Sequence, residues 1–449
     1  MGQPKSILDS WRMRAGLSNT ELGRLVRERA AAQGDVHVLP DATAVRRWLD
    51  GGKPRRPVPD LLADLISDRV GFRVTTYDLE LGEPSGDRAL IYHRSWSDAL
   101  ESVADLGRAD VDRRKFLTAA PFAAIAGLGP SRDWLLNTLD QLPHDTQPVR
   151  LDDIKGIRDM FSRFQEMDIF QGGGSGRMLL AAYMNEHVFP LLRRTHKADV
   201  QHELYSAAAE QTYLLGWMAF DNGEHGIAQR YLIQALRLSE ESRDPALGAH
   251  VLAGMADQAT LLGNPVEGRR LAQAGRHGLG TNASQACLAD LWTLEARALA
   301  AVGDKAATVA AIARAEQAFA RVDSGTEPEW ARFIDHAYVH GEIANAFRDI
   351  DQPAEASEHA RKSIQYAKTQ GRARRGAMSH AALAAAHLQQ GDLEAAYAAG
   401  IRTVNLSKKV KSSRSMQAVR DVQHRLRATA ADHPLVREFA ERAQTALAV

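Results

Sequence analysis

The chain has a single cysteine, Cys287, among its 449 residues, so no disulfide can form within it. A fold stapled by disulfides is thereby excluded, and a reducing compartment is the simplest setting. Aromatic residues are scarce at 6%. Runs of β-branched residues are few while alanine and leucine abound, a mixture that favours helix throughout. Net charge is missing as well, since 56 Lys and Arg balance 56 Asp and Glu. The chain as a whole is therefore no polycation, and basic character has to be sought locally. No stretch reaches the ~20 apolar residues of a membrane span, and the first thirty residues carry no apolar signal core. A cytoplasmic location away from membranes is expected.

One segment imitates an export signal. Arg113-Arg114-Lys115-Phe116-Leu117 and the apolar run to Gly129 have a twin-arginine look. They start more than a hundred residues into the chain, behind what reads as a folded domain, and the run is too short to span a bilayer. An apolar helix that docks the head onto the rest is the expectation.

The length exceeds one ordinary core, so two or more folding units are expected. In the first 80 residues, Leu8, Trp11 and Ala15 have helical spacing and Gly16 stops that helix. Ser18 with Glu21 makes a capping box ahead of Leu22, Leu25 and Val26. After a loop from Ala32 to Pro40, Asp41 caps a third helix whose Val45, Trp48 and Leu49 face inward, ended by Gly51-Gly52. A rigid basic connector, Lys53-Pro54-Arg55-Arg56-Pro57, precedes a fourth helix carrying Leu61, Leu62, Leu65 and Ile66. Gly82 to Asp87 reads as a linker, followed by a helix with Trp96, Leu100, Val103 and Leu106.

From about residue 205 the sequence repeats. Asn222-Gly223, Leu262-Gly263-Asn264, Gly303-Asp304 and Gly391-Asp392 mark one turn, with a glycine-free version near Asp349 to Gln352. Small residues precede each turn (Gly216, Ala256, Ala296, Gly341, Ala384) and follow it (Ala228 and Ala235, Gly268 and Gly275, Ala356 and Ala360, Ala395 and Ala399). Such residues let paired helices approach, and stacked pairs bury a core that one pair cannot. Five hairpins are expected, with Arg414 to Val449 as a cap. The spacing of 40 residues exceeds the ~34 of a tetratricopeptide unit, so longer helices are expected.

Two stretches resemble a known family. Leu17-Ser18-Asn19-Thr20-Glu21-Leu22, with Thr43 to Gly51 and Arg55-Arg56-Pro57-Val58-Pro59, is similar to the XRE-type helix-turn-helix of actinobacterial, Streptomyces-type regulators. Phe170 to Gly174, Gly216 to Asp221 and Ala228 to Leu236 resemble the tetratricopeptide region of the same proteins, which include negative regulators of sporulation and antibiotic production. The resemblance implies an all-α fold, a helix-turn-helix domain followed by a tetratricopeptide-like right-handed superhelix. The long loop between the second and third helices departs from a compact XRE domain.

In a helix-turn-helix the second helix of the motif enters the major groove. Removing the core positions leaves Thr43, Arg46, Arg47 and Asp50 facing outward. Arg46 or Arg47 can pair bidentately with guanine, worth ~1–3 kcal/mol of discrimination. Lys53, Arg55 and Arg56 suit phosphates, as do Ser18, Asn19 and Thr20 at a helix start. Between Arg12 and Arg56 there are ten Lys or Arg against five Asp or Glu, a local surplus in a neutral chain.

Other chemistries have weaker support. Gly172 to Gly176 lacks the Gly-Lys-Ser/Thr of a phosphate-binding loop and reads as a helix-helix turn. His336 and His340 are four apart but lack the zinc-protease glutamate. Cys287 reads as a buried, inert thiol. No enzyme, metal or cofactor is expected. Asn185, Gln211, Tyr213, Asp257 and Gln258 are ligand-site candidates in the array, with exposed polar positions as the plainer reading.

The expected organisation is a DNA-binding head over residues 1–81, a linker and connecting apolar helix over 82–130, and repeats over 131–449. The expected function is transcriptional regulation, repression above all, through double-stranded DNA. The array would form a homodimer and sense a peptide, small molecule or protein on its concave face. The alternative is a tetratricopeptide interaction scaffold without sequence-specific DNA binding.

Overall fold

A computed structural model describes residues 6–32, 35, 37–55, 57–70, 79, 81, 90–93, 95–111, 151–174, 176–192, 194, 196–280 and 284–447. The described residues form helices and turns, with no strand among them. The chain divides into two compact units, residues 1–88 and 89–449. Arg56 and the segment Arg113 to Gly129 lie outside the described residues.

The first unit contains α1 (Ile7–Arg14), α2 (Asn19–Ala32), α3 (Ala42–Leu49) and α4 (Val58–Val70). Each boundary has a local cause. Ser6 caps α1 through the Asp9 amide, and Gly16, at φ +68°, turns the chain out of it. Ser18 Oγ accepts from the Glu21 amide at 3.1 Å. The Glu21 carboxylate pairs with Arg69 at 3.0 Å, an interaction that ties α2 to α4 and was not legible in the expected capping box. Asp41 accepts from the Ala44 amide at 2.7 Å and caps α3. Leu8, Leu22, Val26, Val45, Trp48, Leu49, Leu61, Leu62, Leu65 and Ile66 form one core, with Leu25 at its edge.

The second unit opens with α5 (Trp96–Val111), which was expected as part of a connector. It is an integral packing element. Leu100, Val103 and Leu106 sit in the same core as Ile154, Phe161 and Leu236, and the Trp96 ring lies 4.3 Å from Tyr205. Next come α6 (Leu151–Gln171) and α7 (Arg177–Tyr183), separated by a turn at Gly172 to Gly174 and Gly176. A π-helical segment, Met184–Val188, leads into the short α8 (Phe189–Leu192).

Five helical hairpins then stack in order. They are α9 (Ala198–Asp221) with α10 (His225–Glu241), α11 (Pro245–Leu261) with α12 (Pro265–Gly278), and α13 (Gln285–Ala301) with α14 (Lys305–Phe319). The remaining two are α15 (His336–Asp349) with α16 (Pro353–Thr369) and α17 (Ala373–Gln389) with α18 (Leu393–Ser407). Helices α19 (Ser413–Ala430) and α20 (Pro434–Leu447) follow.

The recurring turn has a conformational cause. Gly223, Gly263, Gly303 and Gly391 all lie at φ +78° to +80°, where an L side chain is strained. In the fourth hairpin Asp351 takes the same place at φ +61°, a residue type that tolerates this region better than most. The small residues before the turns, Gly216, Ala256, Ala296, Gly341 and Ala384, are all buried. After the last turn the buried face runs through Ala396, Ala399 and Gly400, so the expected Ala395 lies one position off the seam.

Candidate functional site

In the head, the sequence-predicted contact residues occupy one helix face and the segment behind it. Val45, Trp48 and Leu49 bury one side of α3, and Thr43, Arg46, Arg47 and Asp50 are exposed on the other at helical spacing. Lys53 and Arg55 are exposed just beyond Gly51, whose φ of +97° redirects the chain. Ser18, Asn19 and Thr20 are exposed at the start of α2. The α2–α3 approach is close. A Cβ on Gly23 would stand 3.0 Å from Val45 Cγ2, so a larger residue would push α3 outward.

The local basic surplus is not all available to a partner. Arg12 pairs with Asp9 at 2.7 Å, Arg24 with Glu28 at 2.7 Å, and Arg27 donates to the Pro40 carbonyl at 3.1 Å. Among the described residues, Arg46 and Arg47 on the outer face of α3 and Lys53 and Arg55 on the segment after it are left without an ion pair.

In the array, the five ligand-site candidates are not exposed polar positions, and they do not converge. Gln211 is fully buried and donates to the Ile157 carbonyl at 2.7 Å, bracing α9 on α6. Gln258 is buried and donates to the His225 carbonyl at 2.8 Å. Asn185 lies in the π-helical segment against α5, close to Gly107. Only Tyr213 and Asp257 border the interior cluster. A polar residue in a small-residue helix reads as exposed from sequence; here α9 and α11 are packed between neighbouring helices, so Gln211 and Gln258 meet backbone instead of water.

That interior is an ionic cluster the sequence reading missed. Arg372, Arg374 and Arg375 open α17, a charge run that normally marks a solvated face. They point inward. Arg374 bridges two buried carboxylates, Asp168 at 2.8 Å and Asp221 at 2.7 Å. Arg372 pairs with Asp335, and Glu342 is shared by Arg297 and by Arg375, the latter at 2.8 Å. Arg414 meets Asp257 at 3.4 Å and lies 5.1 Å from the Trp217 ring and 4.9 Å from Phe220. Trp330 stacks on His250 at 4.6 Å, and Tyr338 Oη donates to Asp290 at 2.8 Å.

Burial and pairing set the protonation states. Burial raises the Asp168 carboxyl although Arg374 pulls it down, because one guanidinium serves two carboxylates there. Burial pushes Asp290 up to about 8, so it holds its proton at neutral pH. At Glu342 burial works against the charge, but Arg297 and Arg375 overcome it and hold the carboxyl at about 2. Burial lowers His250 to about 3 and keeps it neutral. Five guanidiniums therefore face five carboxylates, with Asp290 as a neutral donor or acceptor between them.

Two hollows flank this cluster. A cavity of about 40 Å³ lies among Phe161, Tyr213, His250, Trp330, Arg374 and Arg414. It has room for about three waters. A cleft of about 560 Å³ lies between α19 and the turn ends of the hairpins and shares Arg414 and Met378 with the cavity.

His336 stacks on Tyr366 at 4.6 Å, and His340 Nδ1 lies 3.0 Å from His359 Nδ1. No group of three or more metal-ligating side chains gathers among the described residues. Cys287 is buried, and burial pushes its thiol well up.

Residues 8–82 match the family model described as the SP15 N-terminal domain. That stretch covers α2 to α4 and all of α1 except Ile7. No curated protein matches the chain.

Proposed function

We propose that the chain is a cytoplasmic DNA-binding transcriptional regulator of the helix-turn-helix, tetratricopeptide-array type. Its head reads a short site in double-stranded DNA, and its array senses a ligand. The observation that carries this reading is the outer face of α3. There Thr43, Arg46 and Arg47 are exposed on a capped, core-anchored helix, and the two arginines make no ion pair among the described residues. In this reading Arg46 and Arg47 reach base edges, while Lys53, Arg55 and the α2 start at Ser18, Asn19 and Thr20 hold phosphates. Arg56 belongs with the phosphate group by its place in the sequence. One such helix reads only a half-site, so a homodimer is part of the proposal. Repression is the direction of control that the family resemblance suggests.

The test is genome-wide DNA capture with the wild-type protein and an Arg46→Ala/Arg47→Ala double variant. The wild type gives discrete peaks and the variant loses them, with unchanged helicity and melting. Peaks that persist in the variant overturn the residue assignment. No peaks with the wild type overturn the regulator reading in favour of an interaction scaffold, for which the array cleft is the supporting feature. On a captured site, Lys53→Ala should lower the log–log salt slope of binding by about 0.9, because one phosphate contact is lost.

A further inference from the structure

We propose that the 560 Å³ cleft beside α19 binds a small organic anion, a carboxylate or phosphate head on an apolar body. The inference gives a chemical class to the signal the array is proposed to sense and rests on that reading for its regulatory meaning. The volume lies within the range of small-molecule sites.

The lining is strongly one-sided in charge. Arg297, Arg348, Arg414, Arg420 and Arg425 face the cleft, with Asp421 as the one lining carboxylate. Their other partners, Glu342, Asp257 and Asp349, stand behind them and not in the lining. An entering ligand therefore meets guanidiniums. Arg420 is exposed and makes no ion pair among the described residues. Arg425 and Asp421 pair at 2.9 Å with about a third of each side chain exposed, an interaction of little net worth that a ligand oxygen can replace.

A second observation points to a missing acceptor. The Arg414 side chain is 8% exposed, and its buried Nε–H meets no acceptor among the described residues, as is also true of Arg297. Buried donors are normally satisfied, so Arg297 and Arg414, whose terminal nitrogens are paired with Glu342 and Asp257, each keep one donor that no described oxygen fills.

The apolar half of the ligand follows from Phe220, Leu261, Leu262, Met378, Ala381 and Ala418, which share the lining with the arginines. At Arg414 and Met378 the cleft adjoins the 40 Å³ cavity, and among the described residues the Arg374 bridge to Asp168 and Asp221 closes the interior beyond it. A compact amphiphile fits such a cleft.

The test titrates the full chain, without DNA, with three naphthyl probes: 1-naphthyl phosphate, 1-naphthoate and the neutral 1-naphthalenemethanol. Probe fluorescence and calorimetry report binding. At least one anion should bind one-to-one and about tenfold tighter than the alcohol, because charge-assisted bonds to arginine outweigh neutral ones. The anion that wins identifies the head group. An Arg420→Gln/Arg425→Gln variant should bind it about fivefold or more weakly, with unchanged melting, and an Arg437→Gln control on α20 should bind as the wild type does. Equal affinity for the alcohol, unchanged binding in the double variant, or no binding of either anion overturns the proposal. Because no DNA is present, each of these outcomes is separate from failure of the head to bind DNA.

Discussion

At the scale of single residues, burial decides what the side chains contribute. Asp290 gives up its proton near 3.8 in an ordinary setting, but in the folded array it keeps it to about 8. The folded state binds the extra proton between those values, so this group's stabilisation is complete below pH ~4 and is lost as pH rises through 8. His250 has the opposite sign. Its ordinary value of 6.5 falls to about 3, so its stabilisation is present above pH ~6.5 and is lost as pH falls towards 3. Asp290→Asn keeps an acceptor for Tyr338 and removes the titration. Between pH 6.5 and 8.5 the variant's melting temperature should fall less than the wild type's; an identical slope in thermal melts would refute the assignment. In the head, Trp48 is 5% exposed beneath the outward arginines. Trp48→Ala should cost ~3–5 kcal/mol of head stability by denaturant titration, the range for truncating a buried aromatic.

At the scale of elements, the glycine turns separate two kinds of constraint. Gly303 lies at φ +79° with open space around its missing Cβ. Gly303→Ala should therefore cost only the left-handed strain, ~1–2 kcal/mol. Gly172 lies at φ +88°, and there a Cβ would overlap the Lys411 carbonyl. Gly172→Ala adds a backbone clash to the same strain, so its loss in thermal melts should clearly exceed that of Gly303→Ala. A smaller loss at Gly172 would contradict the packing described.

The same elements show what sequence could convey. Caps, glycine stops and apolar spacing are local, so α1 to α4 and all five hairpin turns were legible. Asp351 could be placed only because its neighbours repeat. The Arg372 to Arg375 run was opaque, because its carboxylates, Asp168, Asp221, Asp335 and Glu342, lie on three other helices, with Asp335 capping the helix that carries Glu342. From sequence, helix α5 reads as part of a connector for the same reason. Its partners, Tyr205 and Leu236, stand about a hundred residues or more away in the sequence.

At the scale of the molecule, each unit has a core of its own. Disrupting one core should leave the other's protection in place. In hydrogen exchange, Trp48→Ala should speed exchange in α1 to α4 and leave α11 to α17 unchanged. Accelerated exchange across the array as well would mean that the two units share one folding equilibrium.

The far ends of the second unit are also tied together. The Lys411 amide donates to the Gln171 carbonyl at 2.8 Å, Ser412 meets Asp221 at 2.8 Å, and Arg374 reaches Asp168 across 206 residues of chain. A linear stack of repeats can fray from its ends, one hairpin at a time. This stack has its first long helix locked to its last turns, so its terminal repeats cannot melt independently. The long loop must close before those contacts form, which slows folding relative to an open stack. Removing or inserting one hairpin would move Lys411 away from Gln171, so the number of repeats is fixed by the tie between the ends as well as by the repeats themselves.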